Sequence, residues 1–222
     1  MTHDGSAERS WRSVRAWAVL VGVMLVGVGF DLWTKSLAFE RIADDPVVVH
    51  REDVLAVGAS RIGSLIPSHE PVVVVPSVLE LTLVLNPGAV FGVGAGQRWF
   101  FVMFTLAAGA FAMWLFCTWT RPRDWLAHAS LGLVLSGGLG NLYDRLVFAC
   151  VRDFLHPLPG VRLPFGLAWP GGEREIWPWV SNVADAVLLV GIAVLLVKLW
   201  RTPEPVSGEP VPERDESDQS GE

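Results

Sequence analysis

Long apolar segments constrain the fold of this chain more than any other feature, because they exceed what the core of a small soluble domain can bury. Four segments are long enough to cross a hydrocarbon layer of about 30 Å as helices: residues 16–39, 98–119, 126–148 and 179–199. Of the 222 residues, 51% are hydrophobic. We therefore predict a mainly α-helical membrane protein in which residues 16–200 form a four-transmembrane-helix bundle.

Two longer connections between these segments are predicted to be outer loops. The first loop spans residues 40–97, and its β-branched runs between prolines lie at 47–49, 72–75 and 79–85. Such runs are typical of short strands, so we expect a small extracytoplasmic β-sheet in the loop between helices 1 and 2. The second loop, 149–178, is rich in proline, glycine and tryptophan. Trp169, Trp177 and the following Trp179 favour a membrane interface.

Basic residues beside the apolar segments predict the orientation. They gather on one side of the predicted bundle: Arg9, Arg12, Arg15, Arg121, Arg123, Lys198 and Arg201. By the positive-inside rule, the N-terminal segment 1–15 and the tail 201–222 are cytoplasmic. The tail is rich in proline, glutamate and serine, which predicts disorder. It also carries most of the formal net charge of −6, so nothing indicates nucleic-acid binding.

Polar residues from different parts of the chain fall at the predicted outer end of the bundle. They are Asp31, Asn86, Asn141, Asp144, Asp153, Asn182 and Asp185. An ionisable side chain at membrane depth costs about 2.5–3.5 kcal/mol, so such residues are seldom incidental. Asn182 and Asp185 share a helix face at i,i+3 spacing, and so do Asn141 and Asp144. We expect Asp153 and Asp185 to meet as a carboxylate pair.

A carboxylate pair suits hydrolysis of an amide by water. Two neighbouring carboxylates tend to hold one proton, so one acts as a base while the other acts as an acid. Two alternatives remain open from the residues alone. The carboxylates could belong to an ion-coupled transport site. They could also form structural ion pairs, such as Asp144 with Arg145, Asp153 with Arg152, or Asp31 with Lys35 at the interface.

Other catalytic classes find less support in the sequence. The five histidines include no His-x-x-x-His pair, and the two cysteines lack metal-type spacing, so we predict no metal and no cofactor. Ser136 has no histidine partner at its depth, which disfavours a serine nucleophile.

Five motifs in order resemble those of the lipoprotein signal peptidase family, also called signal peptidase II. They are Asp31-Leu-Trp-Thr-Lys35, Asn86-Pro-Gly88-Ala-Val-Phe91, Gly137-Gly-Leu-Gly-Asn141-Leu-Tyr-Asp144-Arg145, Val151-Arg152-Asp153-Phe154 and Ser181-Asn182-Val-Ala184-Asp185. The match covers roughly residues 16–200.

The resemblance implies an aspartic endopeptidase of the bacterial inner membrane. Its catalytic pair would be Asp153 and Asp185. The supporting residues would be Asp31, Lys35, Asn86, Gly88, Asn141, Asp144, Arg145, Asn182 and Ala184. The substrates would be prolipoproteins whose lipobox cysteine already carries diacylglycerol, cleaved just before that cysteine. The resemblance implies membrane lipids as further partners, no metal, and a site at the outer face. We expect a monomer.

Three features depart from the family pattern. Arg152 replaces an apolar residue beside Asp153, where it would lower the pKa of that carboxyl or face lipid headgroups. Ser181 replaces an aromatic residue. Both outer loops are longer than is usual in the family, which leaves the conformation of the second loop open.

Overall fold

The computed structural model describes residues 9–88 and 97–201. The predictions for the first eight residues, for Ala89, Val90 and Phe91 of the second motif, and for the acidic tail beyond residue 201 lie outside the described residues.

Four long helices account for the apolar segments: α1 (Val14–Arg41), α3 (Arg98–Thr118), α4 (Trp125–Val147) and α5 (Val183–Arg201), with a short helix α2 (Arg51–Val57) after α1. In the described chain, α1, α3 and α5 are long and apolar enough to cross a membrane. This confirms a multi-pass, mainly helical membrane protein. Helix α4 has 23 residues and packs against α1, α3 and α5.

Small residues allow α4 to lie close to two neighbouring helices. A Cβ atom on Gly132 would stand 2.7 Å from the backbone oxygen of Leu20 in α1. A Cβ atom on Gly137 would stand 2.7 Å from the Cβ of Leu188 in α5. Close backbone approach of this kind is the usual role of small residues between membrane helices. Gly132, Ser136 and Gly140, at i,i+4,i+8 spacing, all face α1.

A three-stranded antiparallel sheet lies beyond one end of the helices. Its strands are β1 (Val72–Val75), β2 (Leu79–Asn86) and β3 (Val151–Pro157), in the order β1-β2-β3. The sheet is therefore not confined to the loop between the first two long helices, because the segment after α4 supplies β3.

Two sequence predictions on the loops are wrong. Residues 47–49 form no strand, and the chain that follows is helical in α2 and in a 3₁₀ segment, Ala59–Leu65. The last long helix begins at Val183 rather than at residue 179. Ser181 instead pairs with Leu155 of β3 through N–H···O bonds of 2.8 Å in both directions, so the chain is still extended there.

Two apolar clusters lie at different levels of the molecule. One sits under the sheet and includes Phe39, Leu85 and Phe154, and the other includes Leu20 and Phe116 nearer the start of α1. Between these levels, α1 carries buried polar side chains. The polar site therefore lies where the helices meet the sheet.

Candidate active site

Asp153 is held by β3 with its side chain buried. It lies opposite Val84 of β2, and its neighbours point to the other face of the sheet. Its Oδ1 accepts a hydrogen bond from Asn182 Nδ2 at 2.6 Å, and its Oδ2 accepts one from Asn86 Nδ2 at 3.1 Å. The Gly88 N–H donates to Asn86 Oδ1 at 2.9 Å, which fixes the orientation of that amide.

Asp185 lies in the first turn of α5, where it also stabilises the start of the helix. The Asn182 side chain accepts from the Asp185 N–H at 3.1 Å, and the Asp185 carboxylate accepts from the Asn182 N–H at 3.2 Å. This reciprocal arrangement is a capping box built on the Asn-x-x-Asp spacing. The other carboxylate oxygen, Oδ1, accepts from Asn141 Nδ2 at 2.8 Å.

Two asparagine amides connect the carboxylates of Asp153 and Asp185. The Asn182 amide donates to Asp153, and it also donates to Asn141 Oδ1 at 3.0 Å. Asn141 in turn donates to Asp185. Both carboxylates line one cavity of about 640 Å³. Two acids from separate segments of the chain therefore line the same cavity and are linked through amides.

Burial dominates the electrostatics of Asp153. Burial raises the pKa of Asp153 to about 7, and the negative charge of Asp185 acts in the same direction. Near neutral pH, Asp153 therefore exchanges a proton readily, which is a property of general acids and bases. Arg145 also lines the cavity, with its guanidinium 5.1 Å from the Phe101 ring centroid. Its Nε atom is buried and has no hydrogen-bond partner among the described residues.

A network of buried charged side chains contacts the cavity residue Asn141. Lys35 Nζ stands 2.8 Å from Asp31 Oδ2 and 3.4 Å from Asp144 Oδ2, and it donates to Asn141 Oδ1 at 2.9 Å. Asp31 Oδ1 accepts from the Ala184 N–H at 2.8 Å, which ties α1 to the start of α5. The side chains of Asp31, Lys35 and Asp144 are buried, so the Asp31–Lys35 pair is not the exposed pair that the interfacial alternative requires. The lysine instead orients the amide that supports Asp185.

Arg152 has a role that the sequence did not reveal. It is buried, its Nη2 stands 2.9 Å from Asp144 Oδ1, and its own N–H donates to Asp144 Oδ2 at 3.0 Å. Its guanidinium lies 4.2 Å from the Phe148 ring centroid. It therefore faces neither lipid headgroups nor Asp153. Asp144 pairs with Arg152 and Lys35 rather than with Arg145, because consecutive helical residues point in different directions.

Three tryptophans between β3 and α5 form part of the site, which sequence reasoning missed. Trp169, Trp177 and Trp179 line the cavity beside the two aspartates, together with Ser181. Their sequence spacing carried no signal for this placement, because the loop has no regular periodicity. Four other candidates do not line the cavity: Asp31, Lys35, Asp144 and Ala184. They connect to it through the hydrogen bonds of Lys35 to Asn141 and of the Ala184 N–H to Asp31.

Comparison with known proteins is consistent with this geometry. The model of the family described as signal peptidase (SPase) II matches residues 23–201. A lipoprotein signal peptidase of Desulfitobacterium hafniense is 36% identical over 129 residues, covering 58% of this chain and 73% of the relative. One from an Anaeromyxobacter species is 30% identical over 198 residues, covering 84% and 86%.

A solved structure described as a bacterial membrane enzyme has the same fold. It superposes with a TM-score of 0.57 at 20% identity, covering 84% of this chain and 95% of the other. This chain therefore shares its overall fold with a solved bacterial membrane enzyme.

Proposed function

This chain belongs to the signal peptidase II family, and from that membership and the cavity geometry we propose that it is an aspartic endopeptidase. It removes signal peptides from diacylglyceryl-modified prolipoproteins by cutting just before the lipidated lipobox cysteine. The observation that carries the proposal is the lining of one cavity by Asp153 and Asp185, whose carboxylates are linked through two asparagine amides.

The proposed mechanism uses water and one shared proton. The ionised carboxylate of the pair takes a proton from a water molecule, which attacks the scissile carbonyl carbon. The protonated carboxyl donates a hydrogen bond to the carbonyl oxygen and then gives its proton to the leaving amine of the lipidated cysteine. The raised pKa of Asp153 supports this division, because that residue can hold a proton near neutral pH. No covalent intermediate and no cofactor are needed.

The other cavity residues fit supporting roles in this mechanism. Asn86 and Asn182 donate to both oxygens of Asp153 and so restrict its rotation. Arg145 offers a buried Nε–H that could stabilise negative charge on the carbonyl oxygen as water adds. Such donors act strongly where water is largely excluded.

The arrangement also fits a substrate anchored in lipid. We propose that α1, α3, α4 and α5 all span the bacterial inner membrane, with both termini cytoplasmic and the cavity at the outer face. The substrate then reaches the carboxylates sideways from the bilayer, and the protein acts as a monomer. An apolar groove of about 350 Å³, lined by residues such as Phe104 and Leu139, could take a hydrocarbon chain.

Cleavage of a synthetic diacylglyceryl-modified lipobox peptide by the purified protein tests the proposal. Asp153→Asn and Asp185→Asn should each lower the cleavage rate by about 10²–10⁴-fold, because each removes one proton-transfer group. Asp45→Asn is the matched control, since that carboxylate is exposed and outside the cavity lining. Cleavage at the parental rate by either cavity variant would remove that aspartate from the mechanism.

A further inference from the structure

The second outer loop contributes one wall of the cavity. We name the indoles of Trp169, Trp177 and Trp179 the tryptophan wall. The ring centroids of Trp169 and Trp179 are 4.9 Å apart, and those of Trp177 and Trp179 are 6.1 Å apart. All three line the same cavity as the two aspartates. The proposed chemistry at Asp153 and Asp185 assigns no role to this wall.

Backbone hydrogen bonds hold the wall in place. The loop folds back on itself through Ile176 N–H to Val161 O and Leu163 N–H to Arg174 O, both 2.7 Å. The Trp169 indole N–H donates to the backbone oxygen of Glu175 at 2.9 Å. The tryptophan wall is thus part of an ordered loop, and its shape is set before any ligand arrives.

Side chains also anchor the loop to the sheet. The imidazole of His156 in β3 lies between two carboxylates, with Nδ1 2.7 Å from Glu80 Oε1 and Nε2 3.4 Å from Glu175 Oε2. Glu80 belongs to β2, whereas Glu175 belongs to the loop that carries the wall. The sheet that positions Asp153 therefore also positions the tryptophan wall.

The surface chemistry of the wall predicts what it binds. Indole faces are apolar, and they offer large contact areas at a small cost in conformational entropy. The Trp177 Nε1 atom is buried and has no hydrogen-bond partner among the described residues. A buried donor of this kind is satisfied when a ligand supplies an acceptor such as a peptide carbonyl. The wall thus suits an uncharged stretch of polypeptide.

We propose that the tryptophan wall is a specificity-determining subsite for the polypeptide that follows the lipidated cysteine. This inference rests on the proposed function. The signal peptide of such a substrate is an apolar membrane segment, so it must lie beside the long helices. The chain beyond the cleaved bond leaves toward the outer loops, where the tryptophan wall lies. An apolar residue there buries its surface against the indoles, whereas a carboxylate gives up hydration against their apolar faces.

Two pairs of diacylglyceryl lipobox peptides test the subsite. In the first pair, the residue after the cysteine is leucine or glutamate. In the second pair, the same change is made before the cysteine. The parent protein should cleave the leucine peptide of the first pair at least about tenfold faster, measured as kcat/KM. Trp177→Leu should reduce this preference by about fivefold or more and leave the preference within the second pair unchanged.

A conservative variant isolates the indole N–H. Trp177→Phe keeps an aromatic ring but removes the donor, so KM for both peptides of the first pair should rise about five- to tenfold while kcat stays near the parental value. Trp200→Phe is the matched control, because Trp200 is 96% exposed at the end of α5 and does not line the cavity.

The outcomes separate this inference from the proposed function. If the parent cleaves the peptides but both Trp177 variants keep the parental preference and KM, the subsite is overturned and the peptidase proposal stands. An equal loss of preference within both pairs also overturns the subsite, since the wall would then not distinguish the two sides of the bond. If the parent cleaves no peptide, both proposals fall together.

Discussion

Replacing Asp153 with asparagine is expected to stabilise the folded protein at about pH 8 while it lowers the cleavage rate by about 10²–10⁴-fold. The Asp153 carboxyl is buried, and its pKa rises from 3.8 to about 7, first because of burial and then because of the nearby charge of Asp185. The folded chain therefore holds this group ionised at a cost in free energy that the unfolded chain does not bear.

The sign and size of the effect follow from proton linkage. Between pH 3.8 and about 7, the folded state keeps a proton that the unfolded state has lost, so stability falls as the pH rises through this window. The rise in the pKa of Asp153 from 3.8 to about 7 corresponds to about 4 kcal/mol once the pH exceeds the folded pKa. The asparagine loses roughly 1 kcal/mol because its NH₂ group faces one of the two amide donors. The expected net gain is about 3 kcal/mol at about pH 8.

Thermal unfolding in detergent, followed by tryptophan fluorescence, measures this gain. For a chain of this size, about 3 kcal/mol corresponds to a rise in Tm of about 6–12 °C. The parent should lose stability between about pH 5 and pH 7, and the Asp153→Asn variant should lose much less. Asp45→Asn, at an exposed carboxylate, should follow the parent. The reasoning is refuted if the Asp153→Asn variant unfolds at or below the parental Tm at about pH 8 and keeps the parental slope.

Three other predictions concern the cavity and the residues that hold it in place. The kcat/KM for lipopeptide cleavage should fall about tenfold per pH unit above about pH 7, because Asp153 then loses its proton. Arg152→Met should lower the free energy of unfolding by about 3 kcal/mol in a denaturant titration, because it removes a buried partner of Asp144. Gly137→Ala should slow cleavage about 10²-fold, because the added methyl would push α5 and its aspartate away from α4.

Each of these predictions has a result that contradicts it. A cleavage rate that stays level well above pH 8 would show that the proton on Asp153 is not needed. Unfolding of Arg152→Met at the parental denaturant concentration would mean that its ion pair adds nothing. Gly138→Ala is the matched control for the glycine, because its Cβ would meet only Thr105 Cγ2 at 3.4 Å. Equal cleavage rates for Gly137→Ala and Gly138→Ala would contradict the prediction that the added methyl group slows cleavage by separating α5 from α4.

The polar network shows which contacts the sequence motifs predicted and which they did not. The spacing Asn182-x-x-Asp185 indicates a helix start with both side chains on one face, and the structure has a capping box there. The sequence also indicated that Asp153 and Asp185 come together, and they line one cavity. Their catalytic role stays a prediction. The alternative pairing of Asp144 with Arg145 is replaced by pairing with Arg152 and Lys35, because the nearest charge in the sequence is not the nearest charge in space.

Strand β3 and the placement of the loop that follows it were not predicted from the sequence. β3 was not predicted because Val151–Pro157 is separated from the end of α4 by only three residues and includes three charged or ionisable residues, so it lacks a clear strand pattern. Its identity as a strand depends on β2, whose Asn86 pairs with Val151 across a long stretch of chain. The placement of the tryptophans depended in turn on this strand, through His156 and Glu175.

The amino-acid sequence alone determined that the chain is a helical membrane protein with acids and amides collected at one end of its helices. Hydropathy and motif spacing are local properties, so they can be read from neighbouring residues. Only the tertiary structure decided that Arg152 neutralises Asp144 and that three tryptophans close one side of the cavity. Those contacts depend on which distant backbone segments become neighbours, and long-range packing decides that rather than any single stretch of sequence.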